Sequence, residues 1–394
     1  MKSLFIVSSG ILPVPAVRGG AIENRIGYII NYNEEHPLYD ITVLSIYDEK
    51  AEQVSKRYKH TRFIYISYSN NEKRMNQVVS FLSNRVKIMR KFLPQYGLFI
   101  FKIRKFLNRK SYDKVLIENI PEAILFLKRQ SKCKYYVHLG NDVLNENTYN
   151  ASTIFEKFDK ILCVSDYIRR RVMTIPGVSL GKIAFVPQGT RTEDFDLAAQ
   201  NRKDLREKFC ISDDDVVFVF CGRIDKTKGI EEALTAFCEI EDKKTKFLII
   251  GDKSVWTKTD EFTRKLKRIA ESRQNDIIFT GYVSHDIIPR YYTMADVAVL
   301  PPTWQEAGGN TIVEAVAAGL PLITTDSGGN KEYCNSDCAF ILDIGPNLKN
   351  EIYNSMDALI KSEELRRKMG MAAKEQGSRL TWRNHVEHVL KEIE

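Results

Sequence analysis

The chain has 394 residues, 43% of them hydrophobic and 28% charged, with a formal net charge of +8. This composition excludes a disordered or fibrous chain, and the length is more than one core usually fills, so two domains are expected. Seven cysteines, an odd number without a Cys-x-x-Cys pair, argue against a disulfide framework or a zinc site and for reduced thiols in a cytoplasmic protein.

Lys2 and the apolar residues 4–7 open the chain, but Ser8, Ser9, Gly10, Pro13 and Pro15 interrupt the run at once. It is too short and too broken for a signal peptide, and no stretch reaches the roughly 18 apolar residues of a membrane span. A buried first strand running into a Pro/Gly loop fits better. Gly19 and Gly20 then precede a helical pattern over residues 21–32, and a glycine pair at a helix start suits contact with a diphosphate. Further strands are expected at 41–46, 114–118, 135–139 and 160–165. Glu118 and Asn119 stand at the end of one and His138 at the end of another.

Between Lys73 and Tyr112 there is no Asp or Glu. Lys73, Arg74, Arg85, Lys87, Arg90, Lys91, Lys102, Arg104, Lys105, Arg109 and Lys110 give this segment +11, which leaves −3 for the rest of the chain. They are interleaved with Phe81, Leu82, Ile88, Met89, Phe92, Leu98, Phe99, Phe101, Phe106 and Leu107. A basic, aromatic, amphipathic surface suits peripheral docking on anionic lipid, where each base contributes about 1 kcal/mol. The alternative is a solvated helix pair covering a core. No nucleic-acid-binding motif accompanies the patch.

A polar stretch at 190–204 follows a strand ending at Pro187, and a second series of strands begins at 216, continuing at 246–251, 276–281, 297–301 and 321–325. These runs are apolar on both faces and alternate with amphipathic helical patterns. That order implies two parallel sheets with right-handed crossovers, and ligands at the carboxyl ends of the strands. The expected division is 1–190 and 191–377, with a closing segment, 378–394, whose amphipathic helix at 382–393 packs back on the first domain.

Two motifs in the second half carry chemistry. In GRIDKTKG (222–229), Gly222 turns the chain at a strand end and Arg223 and Lys228 share the loop entering a helix. Two cations beside a helix N-terminus suit a diphosphate, and the spacing is not that of a Walker A loop. In WQEAGGNTIVEA (304–315), Glu306 lies in the loop before a helix starting near Asn310, and Glu314 lies a turn inside it. Gly308 and Gly309 let backbone N–H groups approach a ligand, and carboxylates there can accept from paired hydroxyls.

The spacing of Glu306 and Glu314, taken with GRIDKTKG, resembles the retaining glycosyltransferases of family 4. SSGILPVPAVRGGAIE (8–23) and TWQEAGGNTIVEAVAAGLPLITTDSGGNKE (303–332) resemble the spore-coat and polysaccharide-synthesis branch. The resemblance implies the GT-B fold, two Rossmann-like doubly wound parallel-sheet domains facing across a cleft. It implies transfer of a hexosyl group from a nucleoside-diphosphate sugar, a UDP-sugar first, to a lipid-linked or saccharide acceptor, with no cofactor and no metal. On this pattern Arg223 and Lys228 hold the diphosphate, Glu306 faces the donor sugar, and N–H groups at Gly308, Gly309, Asn310 and Thr311 contact sugar and phosphate. Glu314 binds the ribose, the backbone at Val283 lies against the base, and His138 bonds the donor sugar. Glu118 and Asn119 are acceptor-side candidates. Many members carry Phe-Gly or Pro-Leu after the first Glu, where this chain has Ala307-Gly308. Two other readings stay open. A nucleotide-sugar epimerase of the same fold would give product without an acceptor, and a nonenzymatic sugar-nucleotide sensor would bind without turnover.

Overall fold

A computed structural model describes residues 1–85, 97–252 and 261–394. Lys87, Ile88, Met89, Arg90, Lys91 and Phe92 of the basic segment lie outside the described residues, as do the side chains of Leu82 and Arg85. The chain forms two compact units, one of residues 1–187 with 386–394 and one of residues 188–385.

The first unit is built on seven parallel strands: β1 (Lys2–Val7), β2 (Tyr39–Ile46), β3 (Thr61–Ile66), β4 (Lys114–Glu118), β5 (Lys134–Leu139), β6 (Lys160–Cys163) and β7 (Ile183–Phe185). Their order is β3-β2-β1-β4-β5-β6-β7. Leu4, Phe5, Ile6 and Val7 on β1 and Val115, Leu116 and Ile117 on β4 are fully buried, as central strands covered on both faces must be. The second unit has six parallel strands: β8 (Val216–Cys221), β9 (Thr245–Ile250), β10 (Ile277–Gly281), β11 (Val297–Leu300), β12 (Leu322–Thr325) and β13 (Ala339–Leu342). The order β10-β9-β8-β11-β12-β13 repeats the pattern of the first sheet.

In both sheets the chain winds outward from the first strand, then returns to its other side. The switch points therefore fall between β1 and β4 and between β8 and β11, where the loops after the two strands diverge and leave room for a ligand. In the second unit these loops are 222–229 and 301–309, the two segments that carry the sequence motifs.

β3 and β13 have no counterpart among the sequence-expected strands. Both are sheet edges, and their side chains are largely half-buried rather than enclosed on both faces. The helix Trp382–Ile393 lies where its apolar periodicity indicates. Its last turns belong to the first unit, where Val386, Val389 and Ile393 are fully buried and the Ile393 carbonyl accepts from the Tyr136 hydroxyl (3.0 Å).

The basic segment divides by face. Along the helix Leu98–Leu107, Phe99, Ile103 and Leu107 point into the core, so these apolar side chains serve packing. Lys102 pairs with Glu72 (2.7 Å) and sits over the Tyr68 ring. On the helix Asn70–Arg85, Met75, Val78 and Phe81 are exposed at three-residue spacing, which puts them on one side, with exposed Lys73 and Arg74 nearby.

Candidate active site

The loop after β8 is shaped by Asp225. Its carboxylate accepts from the Thr227 N–H (3.0 Å) and from the Thr227 hydroxyl, winding Lys226–Lys228 into a single 3-10 turn. Gly229 then takes a left-handed conformation (φ 66°) against the Pro301 carbonyl, where a Cβ would collide, and the helix Ile230–Cys238 starts. This turn aims Lys228 at Glu306: Nζ lies 2.5 Å from Oε1. The same oxygen accepts the Trp304 indole N–H (2.7 Å). Arg223 goes elsewhere. Its guanidinium is half-exposed and lies 3.7 Å from the Asp225 carboxylate, while Lys228 turns to Glu306, so the two cations of the motif take different partners.

The loop after β11 is stapled from both sides. Thr303 N–H donates to the Thr227 carbonyl (2.9 Å) and its hydroxyl to that of Lys226 (3.0 Å). On the other side the turn after β12 grips it: Glu306 N–H donates to Ser327 Oγ (3.0 Å), Gly329 N–H to the Glu306 carbonyl (2.9 Å) and Gly328 N–H to Gln305 Oε1 (2.8 Å). Gly328 (φ 53°) lies so close to the Glu306 backbone that no Cβ fits.

Lys228, Glu306, Gly309, Thr311 and Asn330 line one recess over the apolar floor of Phe220 and Leu300. Its far wall is the first turn of the helix Asn310–Ala317, whose leading N–H groups have no intrahelical acceptor. The Gly309 N–H is committed, donating to Asn330 Oδ1 (3.0 Å), so it serves the loop where the sequence reading has it meeting a ligand. Gly308 (φ 121°) packs on the buried Tyr333 ring: a Cβ would sit 2.5 Å from Cε2. That ring accounts for Gly308, since no side chain fits there.

Glu314, a turn further in, is buried and bonds His285 Nε2 (3.0 Å). Burial alone would lower the His285 pKa, but the hydrogen bond and charge of Glu314, with Asp194 and Asp286, raise it above the usual imidazole range. The Val283 side chain is buried and Tyr282 beside it exposed. Asn330, Ser327, Gly328, Trp304 and His285 were missed by the sequence reading. Only the glycine pair within residues 327–330 carries a signal in the sequence, that of a tight turn.

In the first unit, Gly19 (φ 72°) and Gly20 (φ 106°) lead into the helix Ala21–Glu35, with Gly20 packed on the Glu23 carboxylate. At the switch point, Arg25 Nη2 lies 2.5 Å from Glu118 Oε2, and His138 Nδ1 lies 3.4 Å from Glu118 Oε1. Burial pushes the Glu118 carboxyl up, but the Arg25 guanidinium and the imidazole outweigh it and hold it well below the usual range. Burial and Arg25 lower the His138 pKa. Glu118 and His138 are both 0% exposed, which corrects the expectation that they face an open site: they are a buried charge network. Asn119 (φ 60°), also buried, accepts the Gly140 N–H at Oδ1 (2.9 Å).

Two doubly wound parallel-sheet units of the same strand order define the chain as a GT-B fold. Against a solved structure, that of Anabaena HepE in complex with UDP, the TM-score is 0.73 at 15% identity, covering 99% of each chain. Residues 201–376, which contain the whole recess, match the family model described as "Glycosyl transferases group 1". Over nearly its full length the chain is similar to YtcC of Bacillus subtilis, at 26% identity over 388 residues (94% of this chain, 86% of YtcC). It is equally similar to spore coat protein SA of the same organism, at 25% over 398 residues (99% and 98%). Among the described residues there is no cluster of metal-ligating side chains and no helix long and apolar enough to cross a membrane.

Proposed function

We propose that the protein is a retaining glycosyltransferase that moves a hexosyl group from a nucleoside-diphosphate sugar to a lipid-linked or saccharide acceptor in cell-surface glycoconjugate synthesis. The observation that carries this is the meeting of Lys228 and Glu306, 78 positions apart, beside the first turn of the helix Asn310–Ala317 at the switch point of the second sheet. The family match over residues 201–376 supports it.

In this reading the diphosphate takes the Lys228 ammonium and the N–H groups of Asn310 and Thr311. Arg223, half-exposed and loosely paired, swings onto the phosphate. Glu306, released from Lys228, accepts from the sugar hydroxyls, and Glu314 from the ribose. As the anomeric C–O bond breaks, the electron pair stays on the departing phosphate. The positive groups around it hold that charge without rearranging, and losing one such donor typically costs about 3–4 kcal/mol. The departing phosphate oxygen takes the acceptor's proton, and the new bond forms on the same face. UDP is the first nucleotide to test, because HepE is solved with it. Lipid contact would run through the exposed Met75, Val78 and Phe81 with Lys73 and Arg74. Sedimentation with anionic vesicles that fades as salt rises is the expected behaviour, and binding indifferent to lipid charge would remove this part.

The test is Lys228→Ala, assayed with UDP-sugars and GDP-sugars against saccharide and lipid acceptors. Turnover should fall at least a hundredfold with the melting temperature within a few degrees of wild type. EDTA should leave wild-type turnover unchanged. Normal turnover in the Lys228 variant would end the assignment.

A further inference from the structure

Trp304 is held at its edge and open over half its surface. Thr303 before it is tied to the Lys226–Lys228 turn, and the Ser327 hydroxyl donates to the Trp304 carbonyl, so the backbone is fixed. The indole N–H is committed to Glu306 Oε1 (2.7 Å), yet the residue is 50% exposed. The ring thus presents an open apolar face, tethered at its N–H edge, directly beside a carboxylate of the recess. A pyranose has the matching form, with C–H groups on its faces and hydroxyls around its rim. An aromatic plate next to a hydroxyl-accepting carboxylate meets both.

We propose that Trp304 is the wall of the hexose subsite: its ring covers a face of the sugar whose hydroxyls bond Glu306. This rests on reading the recess as the donor site. To the polar contact at Glu306 the uncovered ring adds an apolar one, made by a face of the sugar and not by the nucleotide. Aromatic contacts of this kind correspond to roughly three- to tenfold in affinity.

The experiment is titration calorimetry of wild type, Trp304→Ala and Trp304→Phe with UDP, GDP, UDP-glucose, UDP-galactose, UDP-N-acetylglucosamine and GDP-mannose. The comparison is between the sugar nucleotide that wild type binds best and its own diphosphate. Trp304→Ala should weaken the sugar nucleotide roughly three- to tenfold and change the diphosphate by less than about twofold. Trp304→Phe, which keeps an aromatic face and loses the N–H, should stay near wild type. Equal weakening of both ligands by the Ala variant would show that Trp304 merely positions Glu306, and would overturn the proposal. So would a Phe variant as weak as the Ala variant, or an Ala variant without effect. Wild type that binds none of the six compounds would sink the donor-site reading and this proposal together. Binding to wild type with an indifferent Ala variant would sink only this one.

Discussion

Two ion pairs with the same 2.5 Å separation do opposite jobs, and burial decides which. Lys228 and Glu306 keep 23% and 14% of their side-chain surface, so water reaches both groups and parting them strands neither charge in a dry interior. Arg25 and Glu118 keep 5% and none. Removing one partner there strands a charge in the interior, at a cost of roughly 3–5 kcal/mol. Glu118→Ala should therefore lower unfolding stability by that amount in urea melts, whereas a change confined to the acceptor KM would return Glu118 to a binding role. His285 gives the pH dependence. Its pKa is raised in the folded state, so the Glu314 contact stabilises fully below the ordinary value of about 6.5 and fades as pH rises through the folded value. The melting-temperature gap between wild type and His285→Asn should be widest near pH 6 and narrow by about pH 9. Lys228, Glu306 and Glu314 were legible as single residues because their chemistry is unusual for a loop and a helix start. His285 and Trp304 were not, since their roles come from partners that only folding brings close.

The interior strands were legible because burial on both faces writes itself as unbroken apolar runs. Edge strands escape that test, as β3 does with Arg62 and Tyr65 in its span. The turn at 326–330 was harder still. It has no periodicity, and what it does depends on a loop more than twenty positions earlier in the chain. The Tyr333 ring just beyond it makes the two glycines of the Glu306 loop unequal. Gly308→Ala meets the Tyr333 ring at a positive φ and should cost roughly 2–5 kcal/mol. Gly309→Ala, at φ −73° with its nearest neighbour 3.5 Å away, should cost less than about 1 kcal/mol. Denaturant melts of the two variants measure the difference directly, and equal losses would mean that the ring yields.

At the scale of the chain, the second unit is an insertion within the first, because the helical residues 386–394 belong to the compact unit that residues 1–187 begin. Lys114 donates to Tyr39 Oη (2.9 Å) and to the Glu394 carbonyl (3.3 Å), and Lys160 pairs with Glu392, so the closing helix is bonded as well as buried. Ending the chain at His385 removes Val386, Val389 and Ile393 from that core and should cost the first unit on the order of 5 kcal/mol. Calorimetry should find its transition moved down while that of the second unit holds; two unmoved transitions would contradict the packing. The amphipathic pattern at 382–393 was readable. Which side chains of the first unit its last turns meet was not, because those partners, Lys114, Tyr136 and Lys160, are brought together only by folding. A ribosome makes residues 386–394 only after the whole of residues 188–385, so the unit begun first is the one that must wait. For the time it takes to synthesise some two hundred residues it carries an uncovered apolar face, and chaperones have their longest access to it there.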